Sequence, residues 1–446
     1  MKACRMHTMR RTVLALAVSA AVAGAFASTW SCSSSDPAGA TSGSSGSGDG
    51  GSTGDGGGVT RPADCARTLA ADPRFGARTT LASDARSESR TLAVPLPDGG
   101  VLVGIGGALA IFGADGRMNP AFVSDPLFFD PDRPRTLGAA TVDAGGRVLI
   151  VFSDDSNNTT PPVRIARLTA TGGLDPAYGQ GGMTLLPFDA DAGVVSLGAS
   201  GVVADAAGAF VYVAFGRITR VYRVDANGAL AASYGNAGSA LEVPGSGIGI
   251  APRGDGHAMF GLSLPSVSRA VVVSLNPSGL PEPTFAGDGG LAPSFFDSSG
   301  RLVALRSGDA LVRGSSLAKR LHPDGTFDIG FGVIGELALS SSDGGAESSV
   351  LALAPRGDGS FAAFGKTELP SGETSRFVMR YDANGHACGA GVAIGEPVPR
   401  SVAGFSPPEA TAVAYAEDGV VYLVAPVYDD AGEARSVQVL AYRETN

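Results

Sequence analysis

Histidine, cysteine and charged residues are scarce in this sequence. Four of the 446 residues are histidine, four are cysteine and 17% are charged, whereas charged residues make up about 25% of an average globular protein. Beyond the first 31 residues the histidines are His257, His322 and His386, each in or beside a separate turn sequence. HExxH and CxxC spacings do not occur, so we predict no metal site and no cofactor.

Basic residues are outnumbered by acidic ones, 33 to 43, which gives a net charge of −10. The first 31 residues hold four of the basic residues and no acidic one, so the remainder has a net charge of −14. A surface of that sign repels phosphate backbones and anionic lipid headgroups. We therefore predict no nucleic-acid binding, and membrane contact only through a lipid anchor.

The N-terminus has the pattern of a secretory signal peptide. A basic start, MKACRMHTMRR, precedes the apolar run TVLALAVSAAVAGAFA, which is too short for a membrane span. Cleavage after Ala27 would follow an A-x-A pattern. Alternatively TWSC, ending at Cys32, resembles a bacterial lipobox, in which the cysteine carries the lipid. We predict a signal peptide over residues 1–31 and lipid attachment at Cys32, with simple cleavage after Ala27 as the alternative.

Residues 32–60 are rich in Gly, Ser and Asp and offer almost nothing to bury. Such a segment is typical of a flexible tether, which would span roughly 30 Å. The sequence thus predicts a globular domain over 61–446, exported to the bacterial cell envelope as an outer-membrane lipoprotein. A secreted or periplasmic protein remains the alternative.

Two sequence boxes alternate along the predicted domain. In the first, a short apolar strand leads into a glycine-containing polar turn, and an aromatic follows six residues after the glycine. The five aromatics are Phe122, Tyr178, Tyr234, Phe285 and Phe331. A sixth copy, RYDANGHACGAG, lacks the aromatic, and near the N-terminus Phe75 stands in DPRFG, which matches DPAYG at 175–179.

The second box is a tight Asp/Asn-Gly-type turn followed by a run of β-formers. We place its glycine at positions 99, 146, 208, 256, 300, 359 and 419. RVLIVF and FVYVAF are continuously apolar, as in strands covered on both faces. Successive glycines are 44 to 62 residues apart. Several short strands in units of that length are typical of propeller blades, which bury their faces only against neighbouring blades. Seven copies predict seven blades, and one degenerate copy miscounted would make the ring six- or eight-bladed.

The order of the two boxes resembles the delta-60 repeat, a β-propeller family of bacterial secreted and surface proteins. The shared features are the P-D-G-like turn, the V-L-V-like strand and the sequence R-L-x-x-D-G-x-L-D-x-x-F-G. The resemblance covers residues 66–446 and implies an all-β fold, a single β-propeller. It implies no particular activity.

The stretch GGLDPAYGQGG, residues 172–182, has two interpretations. A phosphate-binding loop would run from its glycines into a helix, but MTLLPF follows here and has the composition of a strand. Because the box recurs in other units, we predict that Tyr178 and its counterparts pack at blade corners.

The chain starts in mid-repeat and ends where the first box would come next. We therefore predict that the N-terminal segment completes the last blade and closes the ring by strand exchange, since an open ring would leave unpaired edges. Cys65 precedes this segment, and Cys388 stands in the sixth copy in place of the aromatic box. We predict a disulfide between them, as an exported setting permits, with two buried thiols as the alternative.

No catalytic set is recognisable. The adjacent carboxylates Asp154–Asp155 and Asp429–Asp430 lack the opposed arrangement of a glycosidase and the spacing of a calcium loop, and no G-x-S-x-G elbow opens a helix. We predict a monomeric, non-catalytic propeller that binds an unknown protein, peptide or glycan, or serves as a scaffold. The alternative is an envelope glycan hydrolase or lyase that uses channel-facing carboxylates.

Overall fold

The structure, a computed structural model, describes Cys65, Phe296 and residues 67–75, 80–82, 91–105, 108–122, 135–154, 162–187, 197–215, 218–235, 239–264, 269–287, 290–291, 300–314, 316–341, 347–389, 391–399, 412–428 and 434–445. These residues form 29 strands in seven antiparallel sheets. The strands are β1 (Thr68–Ala71), β2 (Thr80–Ala82), β3 (Thr91–Pro95), β4 (Val101–Ile105), β5 (Ala108–Phe112), β6 (Arg135–Val142), β7 (Val148–Asp154), β8 (Val163–Arg167), β9 (Met183–Leu186), β10 (Leu197–Asp205), β11 (Gly208–Phe215), β12 (Ile218–Asp225), β13 (Ser239–Pro244), β14 (Ser246–Gly254), β15 (His257–Leu264), β16 (Arg269–Leu275), β17 (Gly290–Leu291), β18 (Arg301–Ala304), β19 (Ala310–Arg313), β20 (Leu317–Leu321), β21 (Leu337–Ala338), β22 (Ser340–Ser341), β23 (Glu347–Pro355), β24 (Phe361–Glu368), β25 (Glu373–Tyr381), β26 (Val392–Pro399), β27 (Ala412–Tyr415), β28 (Val420–Tyr428) and β29 (Ala434–Thr445).

The seven sheets are the blades of a closed ring. Blade one is β3–β5, blade two β6–β9, blade three β10–β13, blade four β14–β17, blade five β18–β21, blade six β22–β26, and blade seven β27–β29 with β1 and β2. The inner strands β3, β6, β10, β14, β18, β23 and β27 contact one another in this order, and β27 also contacts β3. The predicted seven-bladed propeller is confirmed.

The core consists of seven apolar clusters, and each lies between two adjacent blades. Between blades two and three, for example, Val151 and Ile165 pack with Val211 and Tyr222. Between blades seven and one, Val439 and Tyr422 pack with Val103. Because both faces of each blade are covered in this way, a continuously apolar strand such as β11, GAFVYVAF, is favoured over an alternating one.

One of the predicted hairpin turns is wrong. Gly300 does not form the turn of blade five, because Arg301–Ala304 is itself the inner strand β18. The turn follows that strand: Gly308 has φ +87° and donates its amide hydrogen to the Leu305 carbonyl at 3.2 Å. The turn-like SSG and the β-formers after it imitate the box one strand too early in the chain.

The two ends of the domain close the ring together. β29 is paired on one side with β28 and on the other with both β1 and β2, with Thr68 opposite Thr445 and Thr80 opposite Gln438. Strand exchange between the termini is therefore confirmed, and the last blade depends on chain from both ends.

A disulfide and a buried carboxylate lie at this closure. Cys65 is bonded to Cys388 of blade six, with a Cα–Cα distance of 4.6 Å. Cys388 donates its amide hydrogen to the Arg380 carbonyl, as Asp175 does to Arg167 in blade two. Cys388 thus takes the position of the acidic residue of the box, and Gly391, three residues later, takes that of the aromatic.

Glu444 of β29 gathers groups from both sides of the closure. Its side chain is 5% exposed, and its carboxylate lies 2.8 Å from Arg380, 3.4 Å from Arg356 and 3.4 Å from Arg67. The Tyr415 hydroxyl donates a hydrogen bond to it. A buried carboxylate is tolerated only with such partners, so these contacts fix the last strand against blade six and the N-terminal segment.

We expect the Cys65–Cys388 bond to form under oxidising conditions and to stabilise the closure. Thiol counting under denaturing, non-reducing conditions should find no free thiol from either residue. Loop closure over 323 residues sets an upper limit of about 6 kcal/mol, so the Cys65→Ser/Cys388→Ser variant should unfold at a lower temperature than the oxidised wild type. The reduced wild type should match the variant, and two free thiols in the oxidised protein would exclude the bond.

The stability of the closure depends on pH through the carboxyl group of Asp72. Hydrogen bonds from the Arg74 guanidinium, aided by Arg443, lower the pKa of Asp72 to about 2 against the opposing effect of burial. A depressed pKa stabilises the fold above the unfolded-state value near 4, and this contribution is lost as the pH falls towards 2.

Asp72→Asn should therefore lower the free energy of unfolding by about 1–2 kcal/mol at pH 7, a figure reduced because Arg74 is partly exposed. The difference from wild type should shrink between pH 4 and pH 2. Asp115→Asn is the matched control, because Asp115 and its partner Arg117 are both largely exposed. Thermal midpoints measured across this pH range test the expectation, which fails if the Asp72 deficit is the same at pH 7 and pH 2.5.

Candidate functional site

The blade corners follow one plan, and blade two shows it in full. In blade two the strand ends at Arg167, the chain turns, and Leu174 bridges back to Leu168. Asp175 then accepts the amide hydrogen of Ala177 on its side chain and that of Tyr178 on its carbonyl. This Asx turn places the aromatic ring against the next blade.

The six aromatics of these corners are all buried, between 0% and 8% exposed. They are Phe75, Phe122, Tyr178, Tyr234, Phe285 and Phe331. The residue after the aromatic docks on the next blade: Gly179 donates its amide hydrogen to the Asn227 carbonyl at 2.7 Å. A Cβ on Gly228, at φ +86°, would lie 2.5 Å from the Gly179 nitrogen and 2.9 Å from the Tyr178 ring. The glycine is therefore required by the close approach of two blades.

The stretch 172–182 leads into β9 and not into a helix, so it is a structural corner. Its docking hydrogen bond recurs at other blade junctions. The equivalent donors and acceptors are Gly235 and Ser278, Ala286 and Asp324, and Gly332 and Asn384.

An arginine covers the corner aromatic, a feature that the sequence did not reveal. The Arg167 guanidinium lies 4.7 Å from the centre of the Tyr178 ring. It donates to Asp175 at 2.8 Å and to the Ala226 carbonyl of blade three at 2.7 Å. Cation–π contact, ion pair and hydrogen bond thus join two blades at one side chain.

Blade five repeats this latch. Arg320 pairs with Asp328, lies 5.6 Å from the Phe331 ring and donates to the Ala383 carbonyl of blade six at 2.7 Å. The sequence box contains both members of this pair, the arginine in its R-L element and the aspartate in its L-D element. Spacing alone did not show that the two elements pair, nor that the arginine crosses to the next blade.

A pocket of about 140 Å³ lies between blades two and three at these turns. Its polar lining residues are Asp143, Arg147, Tyr178, Asp205 and Asp225. Three of them belong to turn segments that hold their carboxylates by backbone hydrogen bonds: Asp143 to Gly145, Asp205 to Ala207, and Asp225 to Asn227.

The charges around the pocket do not balance. Arg147 pairs with Asp143 at 2.9 Å and Arg223 with Asp205 at 2.7 Å, while Arg167 pairs with Asp175. Among the described residues, Asp225 has no cationic partner.

The Tyr178 hydroxyl is buried at this pocket without a hydrogen-bond partner. Burial raises the pKa of Tyr178, and the nearby Asp225 charge adds to the rise. The pocket thus combines an uncompensated carboxylate with an unpaired hydroxyl, a set that can accept hydrogen bonds from an ammonium or hydroxyl group.

The predicted candidates for other chemistry are not brought together. His257, His322 and His386 each lie near an acidic residue of their own blade, at 2.8, 3.1 and 3.2 Å. No group of three His, Cys, Asp or Glu suited to a metal occurs among the described residues. Asp154 ends β7, and Asp155, Asp429 and Asp430 lie outside the described residues.

The inner strands carry mostly Ala, Val, Leu, Gly, Ser and Thr. Their acidic and tyrosine residues, in the described part of the chain, are Asp205, Glu347 and Tyr415. Glu347 begins its strand, whereas Asp205 and Tyr415 end theirs. Asp205 and Tyr415 belong to blades three and seven, and each already has a partner, Arg223 and Glu444 respectively.

The predicted signal peptide, the tether and Cys32 lie outside the described residues. No helix among the residues that the structure covers is long and apolar enough to cross a membrane.

No family model matches the chain, and no curated protein does. Among solved structures, a Lactobacillus plantarum protein is 12% identical over 80% of this chain and 100% of its own, with a TM-score of 0.41. The Dos1 propeller is 10% identical over 77% of this chain and 74% of its own, with a TM-score of 0.39. A periplasmic gluconolactonase of Pseudomonas aeruginosa is 14% identical over 80% of this chain and 99% of its own, with a TM-score of 0.40.

Tyr178 and Tyr422 form a matched pair for testing the unpaired hydroxyl. Tyr178→Phe should leave the free energy of unfolding unchanged or raise it by up to about 1 kcal/mol, because it removes a buried hydroxyl without a partner. Tyr422→Phe should lower it by about 1–2 kcal/mol, since the Tyr422 hydroxyl donates to the Gly99 carbonyl. Thermal or denaturant unfolding measures both, and equal losses would contradict the difference between the two sites.

Proposed function

We propose that this chain is an exported, lipid-anchored envelope protein whose propeller binds a partner or serves as a scaffold without catalysing a reaction. The observation that supports this is the use of its polar side chains. Arginines and carboxylates pair across blade junctions, as Arg167 does with Asp175 and Arg320 with Asp328. Backbone hydrogen bonds and this pairing lower the pKa of Asp175 and Asp328 against the effect of burial, which makes these carboxylates weak general acids and bases near neutral pH.

Export is supported by the bond between Cys65 and Cys388, because structural disulfides persist in oxidising compartments. The signal-like N-terminus and the lipobox-like TWSC sequence agree with it. In this proposal Cys32 carries the lipid and the tether holds the propeller beside the outer membrane of a bacterial cell.

The pocket between blades two and three is the proposed binding site. Asp225 has no cationic partner there among the described residues, and the buried Tyr178 hydroxyl has no hydrogen-bond partner. An ammonium group of a basic peptide or the hydroxyls of a glycan would supply the missing donors. The pocket admits one such group, so the remainder of the ligand would lie over the neighbouring turns.

We expect thermal unfolding of the mature chain to shift with lysine-containing peptides or envelope glycans. A ligand at 100 times its dissociation constant stabilises by ~2.7 kcal/mol, which raises the midpoint by a few degrees. Asp225→Asn should abolish the shift, because the amide lacks the charge, while Asp115→Asn at an exposed turn of blade one should retain it.

Three other outcomes would revise the proposal. A shift that survives Asp225→Asn would move the binding site elsewhere. Absence of any shift would favour a scaffold without a ligand of these classes. Release of products from the glycan would show catalysis and favour an envelope hydrolase or lyase.

A further inference from the structure

Three large aliphatic side chains project from one corner of blade five. Ile329, Val333 and Ile334 are 85%, 75% and 90% exposed, the highest values among the large apolar residues that the structure describes. They are adjacent in space, because a Cβ on Gly335 would lie 3.2 Å from the Ile329 Cα. We call these three residues the aliphatic tip.

The backbone at the tip is held in a conformation that does not suit its side chain. Val333 and Glu336 exchange backbone hydrogen bonds across a two-residue turn, and Ile334 in that turn has φ +57°. The corresponding residue of blade two is Gly181, with φ +64°. A β-branched residue in the left-handed region is a genuine outlier, so folding alone gives no reason for isoleucine here.

The charges next to the tip cancel locally. Lys319 pairs with Glu336 at 2.6 Å, and Arg320 pairs with Asp328 at 2.7 Å. The tip therefore presents apolar surface without a net charge, on a chain that is acidic as a whole. Such a surface avoids the repulsion that the rest of the domain would experience near anionic headgroups, and it is suited to neutral lipid.

The tip lies beside the point where the described domain begins. Gly332 donates its amide hydrogen to the Asn384 carbonyl at 2.6 Å, and Cys388, four residues further, is bonded to Cys65. Four residues span at most about 14 Å. The described domain therefore begins near the aliphatic tip, and a tether of roughly 30 Å keeps the tip within reach of the surface that holds the anchor.

We propose that the aliphatic tip inserts among the headgroups of a zwitterionic bilayer and orients the propeller on the membrane. This inference rests on the lipid anchor of the proposed function, which supplies the proximity that a weak contact needs, and it replaces the prediction that the anchor is the only membrane contact. A second copy of the chain is a poorer occupant, because stable interfaces bury about 800 Å² on each partner and three side chains on a convex corner fall well short of that.

The experiment measures the depth of the tip in a bilayer. An environment-sensitive fluorophore is attached at Ile329→Cys, a unique reactive thiol once Cys65 and Cys388 are bonded, in the mature chain with Cys32→Ala. A histidine tag at position 32 holds this chain through its own tether on phosphatidylcholine–phosphatidylethanolamine vesicles that contain a nickel-chelating lipid. The matched control carries the fluorophore at Met118→Cys, which is 55% exposed on the corner of blade one.

We expect nitroxide-labelled lipids to quench the fluorophore at position 329 at least about twofold more than that at 118, with a blue shift of its emission. Adding Val333→Asn and Ile334→Asn should remove the difference. These substitutions should not lower the thermal midpoint, because asparagine adopts the left-handed region more readily than isoleucine, so loss of quenching cannot be ascribed to unfolding.

Equal quenching at 329 and 118, or quenching unaffected by the two asparagines, would overturn the insertion. If the fluorophore at position 329 is shielded from solvent only when a second protein is added, the insertion is also overturned, in favour of a protein partner. The mass of the N-terminal peptide from the native host separately tests acylation of Cys32. Because the tag replaces the lipid, an unacylated Cys32 would refute the anchor without deciding the depth of the tip.

Discussion

The fold depends on the pairing between its two ends. β29 is the only strand of the described chain that receives partners from residues 68–71 and 80–82, and without them blade seven would present an unpaired edge to solvent. Glu444, on the same strand, lies between Arg380 of blade six and Arg67 of the N-terminal segment. A propeller has no single core, and its seven clusters lie between blades, so loss of one junction exposes two apolar faces at once. The bonds at the closure therefore support every other junction in the ring.

Away from the closure, adjacent blades are joined by the recurring corners. The aromatic packs on the turn glycine of the next blade, and the amide after it binds the carbonyl of that turn, as Gly179 does with Asn227. In blades two and five the arginine guanidinium adds a second link, from Arg167 to Ala226 and from Arg320 to Ala383. Blade six has neither the acidic residue nor the aromatic, and there the covalent bond of Cys388 to Cys65 makes the connection. The chain thus replaces a weakened corner with a disulfide at the junction where its ends meet.

The regular spacing of the boxes made most of the strands and turns predictable from the sequence. The directions of the side chains could not be predicted from that spacing. The six-residue spacing from glycine to aromatic located five of the six buried rings, because one turn geometry fixes both positions, and the match of DPRFG to DPAYG located the sixth, Phe75. The same spacing could not show that Arg167 folds back over Tyr178. The hydrogen-bond register placed Cys388 at the acidic position, whereas the sequence alone suggested the aromatic one. In blade five, Gly300 and Gly308 both precede β-formers, and only strand pairing shows which glycine ends the inner strand. The pocket joins turns that are about 60 residues apart in the sequence, so no local pattern could reveal it.

The use of polar side chains in contacts between blades limits which groups are left to bind a ligand. In the corners of blades two and five the arginine and the carboxylate bind each other, so the groups left for a ligand are those outside the latch. At the junction of blades two and three, Asp225 has no arginine of its own and Tyr178 has no hydrogen-bond partner. At the corner of blade five, Ile334 occupies a position where blade two has glycine. Neither feature improves the fold, because one leaves a buried hydroxyl without a partner and the other holds a β-branched residue at φ +57°. In a ring of near-equivalent units, such departures are the positions on which selection for binding has room to act.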